Sequence, residues 1–288
     1  MTIDAKLVAE LRARTGLPMM KCKQALMEAD GDLEKAGDNL RKEGSKTIDK
    51  LKDRDMKDGL VFVHREGPVA AAVAVLCETD FVARSEDFVA FGKALAKALH
   101  AKAPADAGEG DALNGVALAD GRTVKEHLDE LVGSKIRENM KVGEFARFKP
   151  KEGTVAVYVH HNNRIACLVE LAGSGLKDND AVAELGNDLG MQIAFHSQLQ
   201  GLTEKDLDAK WVEKERQIFL AQSENMPEDK RDKIAAGKLA KRLKEVVLLD
   251  QPFIKNEKVS VQQHVAEVAK QAGVKVSIAR FARVGAGA

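Results

Sequence analysis

The sequence predicts an α+β protein: three short helices, then two units each ordered strand, strand, helix on an antiparallel sheet, with two long charged helices set into the second unit. Three observations predict it. Apolar residues recur at helical spacing over the first 44 residues, the period changes to alternation from Leu60, and strand, strand, helix occurs twice, near 60–99 and 155–196.

Leu7, Val8 and Leu11 put an apolar stripe on a first helix that Thr15-Gly16 stops, and Pro18 suits the first turn of the next. The second helix is expected from about Met19 to Ala29, with Cys22, Ala25 and Leu26 inward. Asp30-Gly31-Asp32 breaks it, and Asp32 caps a third helix bearing Leu33, Ala36 and Leu40. Gly44 is expected to close this unit, leaving SKTIDKLKDRDMKD as a charged, partly helical linker.

LVFVHR and VAAAVAVLCET, joined at Gly67-Pro68, predict a hairpin of strands rich in β-branched residues. TDFVARSEDF follows at an exposed turn, and Ser85 with Glu86 and Asp87 caps a helix whose Phe88, Phe91, Leu95 and Leu99 share a face. Residues 103–115 read as a loop. Thr123 and Glu126 then form a capping box for a helix carrying Val124, Leu128, Leu131 and Ile136, and VGEFARF is a candidate strand. TVAVYVHH and RIACLVEL, residues 154–171, predict a second hairpin turning at Asn162-Asn163, because Asn tolerates the left-handed backbone such turns require. A helix is expected over 181–196. Residues 203–249 read as two antiparallel helices joined through Asn225-Met226-Pro227, followed by a short helix, VQQHVAEVAKQ, and a strand, VKVSIARFARV, able to close the second sheet before a Gly/Ala tail.

The composition narrows function. Lys+Arg and Asp+Glu number 45 each in 288 residues, so no polyelectrolyte partner is indicated and nucleic acid is not expected as a direct ligand. Cys22, Cys77 and Cys167 are far apart and unpaired by spacing, which fits reduced cytoplasmic thiols in place of a disulfide framework or zinc site. No segment reaches the roughly 18 apolar residues of a membrane span, and MTIDAKLVAELRARTG lacks the pattern of a secretory leader.

Enzyme signatures are missing: there is no G-x-G-x-x-G, phosphate loop, H-E-x-x-H or G-x-S-x-G, so neither a cofactor nor covalent chemistry is expected. His160-His161, read as consecutive strand residues, point to opposite faces and are poorly placed to share a metal. Cys167, in an alternating apolar strand, reads as a core thiol. TDFVAR is the unusual feature. Asp80 and Phe81 either present a charge and a rigid apolar wedge at a supported turn, or cap the turn and fold back into the core. Met19-Met20 divides similarly, since adjacent helical residues cannot both face one core stripe, so at least one is expected at the surface.

LRARTGLPMMKCKQALMEADGDLEKA resembles the N-terminal signature of the elongation factor Ts family, CETDFVAR resembles its second signature, and YVHHNNRIACLVEL, DLGMQIA and LLDQPF are similar to later family segments in the same order. The resemblance implies a guanine nucleotide exchange factor that binds elongation factor Tu and promotes release of its GDP. It further implies a UBA-like domain over 1–52, a core with subdomains 53–148 and 149–284, a dimerising helical hairpin within 203–249, and a tail at 285–288. On the same grounds Thr79, Asp80, Phe81 and Val82 disturb the magnesium site of Tu, Met19 and Met20 dock on its G domain, and His160 meets another Tu domain. The chain departs from the family pattern at Leu17-Pro18, Lys21, Arg137 and His161-Asn162-Asn163, and a C-terminal helix of some relatives is expected to be missing. Two other classes stay open on residues alone: an adaptor using the three-helix module, and a metal-dependent enzyme using His160.

Overall fold

The computed structural model describes residues 3–223 and 227–287. Helices and antiparallel strands alternate in blocks as expected. The first helix, α1 (Ala5–Thr15), starts on the Asp4 carboxylate and ends at Gly16 in the left-handed conformation. It packs with α2 (Met19–Glu28) and α3 (Leu33–Leu51) around Val8, Leu11, Leu17, Cys22, Leu26, Ala36 and Leu40. Asp32 caps α3 by accepting from the amides of Glu34 and Lys35. Gly44 does not close this unit. The helix runs through it to Leu51 because Gly44 is where α3 meets a neighbouring backbone, and Ile48 and Leu51 supply apolar contacts further on. The first seven of the fourteen residues of the expected, partly helical linker are therefore helix.

Strands β1 (Asp58–Glu66) and β2 (Val69–Cys77) form the first hairpin. A one-turn helix, α4 (Asp80–Ala83), leads into α5 (Glu86–Ala101), capped by Ser85. The 103–115 stretch holds the two-residue β3 (Ala107–Gly108) and a 3-10 turn. The capping box of Thr123 and Glu126 opens α6 (Val124–Glu130), which passes into a π-helical turn, Leu131–Lys135, before β4 (Met140–Phe148). The first sheet has the order β1-β2-β4-β3.

The second hairpin joins β5 (Thr154–Val159) to β6 (Ile165–Ala172), with Asn163 left-handed at φ 55°. Next comes α7 (Asp180–Phe195), which lies close to the sheet because Gly186 and Gly190 face Ala156 and Tyr158. Helices α8 (Ala209–Ala221) and α9 (Glu228–Val246) pack on each other, and the Asn225-Met226 junction lies outside the described residues. The chain enters and leaves this pair side by side: Leu248 N donates to Gly201 O at 3.0 Å and Leu249 N to Leu202 O at 3.2 Å. A small ribbon of β7 (Pro252–Phe253) and β8 (Asn256–Ser260) precedes α10 (Val261–Ala272). The final strand, β9 (Ser277–Gly285), pairs with β6 and completes the order β5-β6-β9. The expected Gly/Ala tail is partly structure. Gly285 pairs with Ile165, and Ala286 is buried with its amide on Arg164 O.

The period of two along the strands sets four layers. Ala71, Val73, Val75 and Cys77 of β2 face α5, while Ala70, Ala72 and Ala74 face the other sheet. In β6, Cys167, Val169 and Leu171 face α7, while Ala166 and Leu168 face the first sheet. The two sheets thus share a third core built on alanine, with Val61, Phe148, Val155, Val284 and Ala286 around it. Arg280 ties the layers at the edge, lying 4.3 Å above the Phe148 ring and pairing with Glu170 and Asp106.

Candidate functional site

The turn after β2 is held from both ends. Thr79 caps α4 by accepting from the Val82 amide, and its hydroxyl donates to both carboxylate oxygens of Glu138 at 3.0 Å. The Cys77 thiol donates to Thr79 O at 3.2 Å; burial, with the Glu138 carboxylate adding to it, pushes that thiol up to about 11. Val82 and Ala83 sink into the first core. Glu78 accepts from the Asn139 backbone amide at 2.6 Å and pairs with Arg54, and the buried Asn139 side chain donates to the carbonyls of Lys52 and Arg54. This one cluster locks the exit of α3, the end of β2 and the start of β4.

On that support Phe81 is 83% exposed, the most exposed large apolar side chain among the described residues. It does not fold back into the core. Asp80, half exposed beside it, pairs with Arg84 at 3.0 Å one turn on. An aromatic ring in water gains nothing from burial in the free chain, so the turn presents ready-made apolar surface and a carboxylate at a fixed position.

His160 lies beyond the end of β5, in the turn and not in the strand. Its ring is within 4.2 Å of the His161 ring, so the expected opposite-facing placement is overturned: the chain is already turning, and the period of two no longer applies. The Tyr158 hydroxyl lies 3.0 Å from His160 Nδ1. This turn sits at the same end of the sheets as Phe81. Asp58, paired in register with Cys77, also forms an ion pair with Arg164, and Asn163 O accepts from Val61 N at 2.8 Å. Met19 and Met20 are both exposed, at 55% and 73%, with Met27 two turns along the same helix at 48%.

Sequence reasoning missed Glu78, Glu138 and Asn139, whose roles depend on partners more than fifty residues away. Arg137, just before them, is left-handed at φ 61°, a conformation glycine adopts more freely. Lys21 pairs with Glu43 on α3, and Leu17 fills the three-helix core. Cys167 is the core thiol expected, pushed up to about 12 by burial. No helix of the described residues is long and apolar enough to cross a membrane.

Comparison with known proteins places the exposed turn in a wider context. The family described as Elongation factor TS matches residues 78–288, beginning at the Glu78 that anchors the turn. The chain is 38% identical over 286 residues to Elongation factor Ts of Clostridium novyi, covering 98% of this chain and 92% of that protein. It is 36% identical over 290 residues to Elongation factor Ts of Nostoc punctiforme, covering 98% and 91%, and 39% identical over 290 residues to that of Desulfovibrio desulfuricans, covering 98% and 97%. Similarity of this extent, over the three helices and both sheets alike, means that the chain belongs to the elongation factor Ts family.

Proposed function

We propose that the chain is the exchange factor for elongation factor Tu, binding Tu·GDP and speeding GDP release so that GTP can load, with no covalent chemistry of its own. The observation that carries this reading is Phe81: a large ring held in water on a turn fixed by Glu138, Glu78 and Asn139 is suited to push on a partner. GDP and magnesium hold the switch loops of a G protein in one arrangement, so a wedge that favours another arrangement binds in opposition to nucleotide. That opposition is mutual. Any factor by which this chain weakens GDP binding is the factor by which GDP weakens binding of this chain, at about 1.4 kcal/mol per tenfold.

In this reading the turn Thr79, Asp80, Phe81 and Val82 disturbs the magnesium and phosphate site of Tu, with Asp80 and Phe81 reaching the partner while Thr79 and the buried Val82 hold the turn. Residues 1–52 form a UBA-like domain that docks on the G domain through Met19 and Met20, a use suited to adaptable thioether side chains. The core divides into subdomains 53–148 and 149–284, and His160 meets a second domain of Tu from the turn beside the Phe81 end. Helices α8 and α9 form an antiparallel hairpin for pairing with a second copy, supported by the lack of any buried residue on α8. The place of action is the cytoplasm, where translation runs. Release of labelled GDP from Tu tests the proposal: adding the chain at substoichiometric amounts should accelerate release, and an unchanged rate would overturn it.

A further inference from the structure

Away from the Phe81 turn, at the other end of α5, the alternation of β1 brings a different chemistry together. Phe62, His64 and Glu66 occupy successive positions on the face toward α5. Phe62 packs beside Gly92 in the core, while His64 and Glu66 continue the row to the rim. His100 in the last turn of α5 meets them there. The His64 and His100 rings stand edge to face with centroids 4.8 Å apart, and His64 Nε2 is 3.8 Å from a Glu66 carboxylate oxygen. One ligand atom from each of the three lies within 4.8 Å of the other two.

We propose that His64, Glu66 and His100 form a binding site for a zinc-class dication that clamps the end of β1 to the last turn of α5. Two imidazoles and one carboxylate are a donor set such ions prefer, and three protein ligands leave a further position to water. Ligands about 2.0–2.1 Å from one tetrahedral ion are roughly 3.3–3.4 Å apart, so the most widely separated atoms must close by about an ångström or more. The Glu66 side chain, 80% exposed, is free to make that movement. The C-terminal carbonyls of α5 add negative potential where the ion would sit. Arg147 is turned onto the His100 carbonyl, its Nε donating at 2.8 Å.

The alternative is that the two rings only pack against each other, with His64 paired to Glu66 and His100 Nε2 held 3.4 Å from the Glu66 carbonyl oxygen. Calorimetric titration of the untagged, chelator-treated full chain with zinc chloride separates the two. The expected result is one ion per chain, with affinity lowered about tenfold or more by Glu66→Gln and by His100→Ala, and unchanged by the double variant His160→Ala/His161→Ala. Zinc should also raise the melting temperature of the parent and leave that of His100→Ala unmoved. Glu66→Gln alters an exposed side chain, so its reading stands even where a histidine variant folds poorly. An absence of binding up to about 1 mM zinc, or a site indifferent to both Glu66→Gln and His100→Ala, overturns the proposal.

Discussion

Gly133, in the π-helical turn, lies against the backbone of Gly44 on α3, so closely that a Cβ on Gly133 would stand 2.9 Å from the Gly44 Cα. Gly133→Ala should therefore cost about 1–3 kcal/mol in chemical denaturation by forcing the two backbones apart. Gly37→Ala, on the same helix with open space around it, should cost nothing or stabilise slightly. Equal effects of the two would refute the close-approach account. The same contact bears on truncation. Removing residues 1–52 strips Ile48 and Leu51 from the first core, whereas a cut before Ser45 spares them and should leave the sheets more stable.

Phe81→Ala should leave stability within about 1 kcal/mol of the parent, since a truncated surface ring removes little burial. GDP release from Tu, measured with the same variant, should slow strongly. Asp80→Ala should slow release more than it weakens binding to nucleotide-free Tu. Two stable variants with unchanged release would remove this turn from the mechanism.

Asn139→Ala deletes two hydrogen bonds to the carbonyls of Lys52 and Arg54 and should cost about 1–3 kcal/mol. Asn139→Asp keeps the volume but turns a carboxylate toward the same carbonyls, and should cost more. Thermal melting of the two variants distinguishes the roles: an Asp variant as stable as the parent would mean that shape, not donation, matters there.

The Cys77 thiol has its ordinary value near 9.0 in the unfolded chain and about 11 in the fold, raised first by burial and then by Glu138. Above pH 9 the unfolded chain loses this proton while the folded chain keeps it. Its contribution to stability is thus whole below pH 9 and declines as pH rises toward 11. Cys77→Ala should flatten that decline in melts over this range. An identical decline in parent and variant would assign it to other groups.

Much of the fold was legible because its signals are local. Asp32, Ser85 and the Thr123–Glu126 pair are caps whose partners lie within three residues, and Asn163 turns the second hairpin by its own backbone preference. What sequence reasoning missed depends on distant partners. Gly44 looked like a stop until Gly133 supplied a reason for a helix to carry glycine, and the alanines of β2 gave no sign that a second sheet would cover them. Phe81 was undecidable for another reason: a four-residue helix has no period from which an inward face can be read. The metal-ligating trio was hidden because His100 joins His64 and Glu66 only once α5 lies across β1.

The order β5-β6-β9 has a consequence in time. Leu171 of β6 finds its partner in Ile278, 107 positions later, and Ala286 must arrive before the alanine layer between the sheets is filled. At synthesis speeds of about 5–20 residues per second, β6 waits roughly 5–20 s with one edge unpaired while α7, α8, α9 and α10 emerge. A hairpin with an open edge is an invitation to neighbouring strands. For that interval the open edge of β6 is exposed to pairing with the wrong strand.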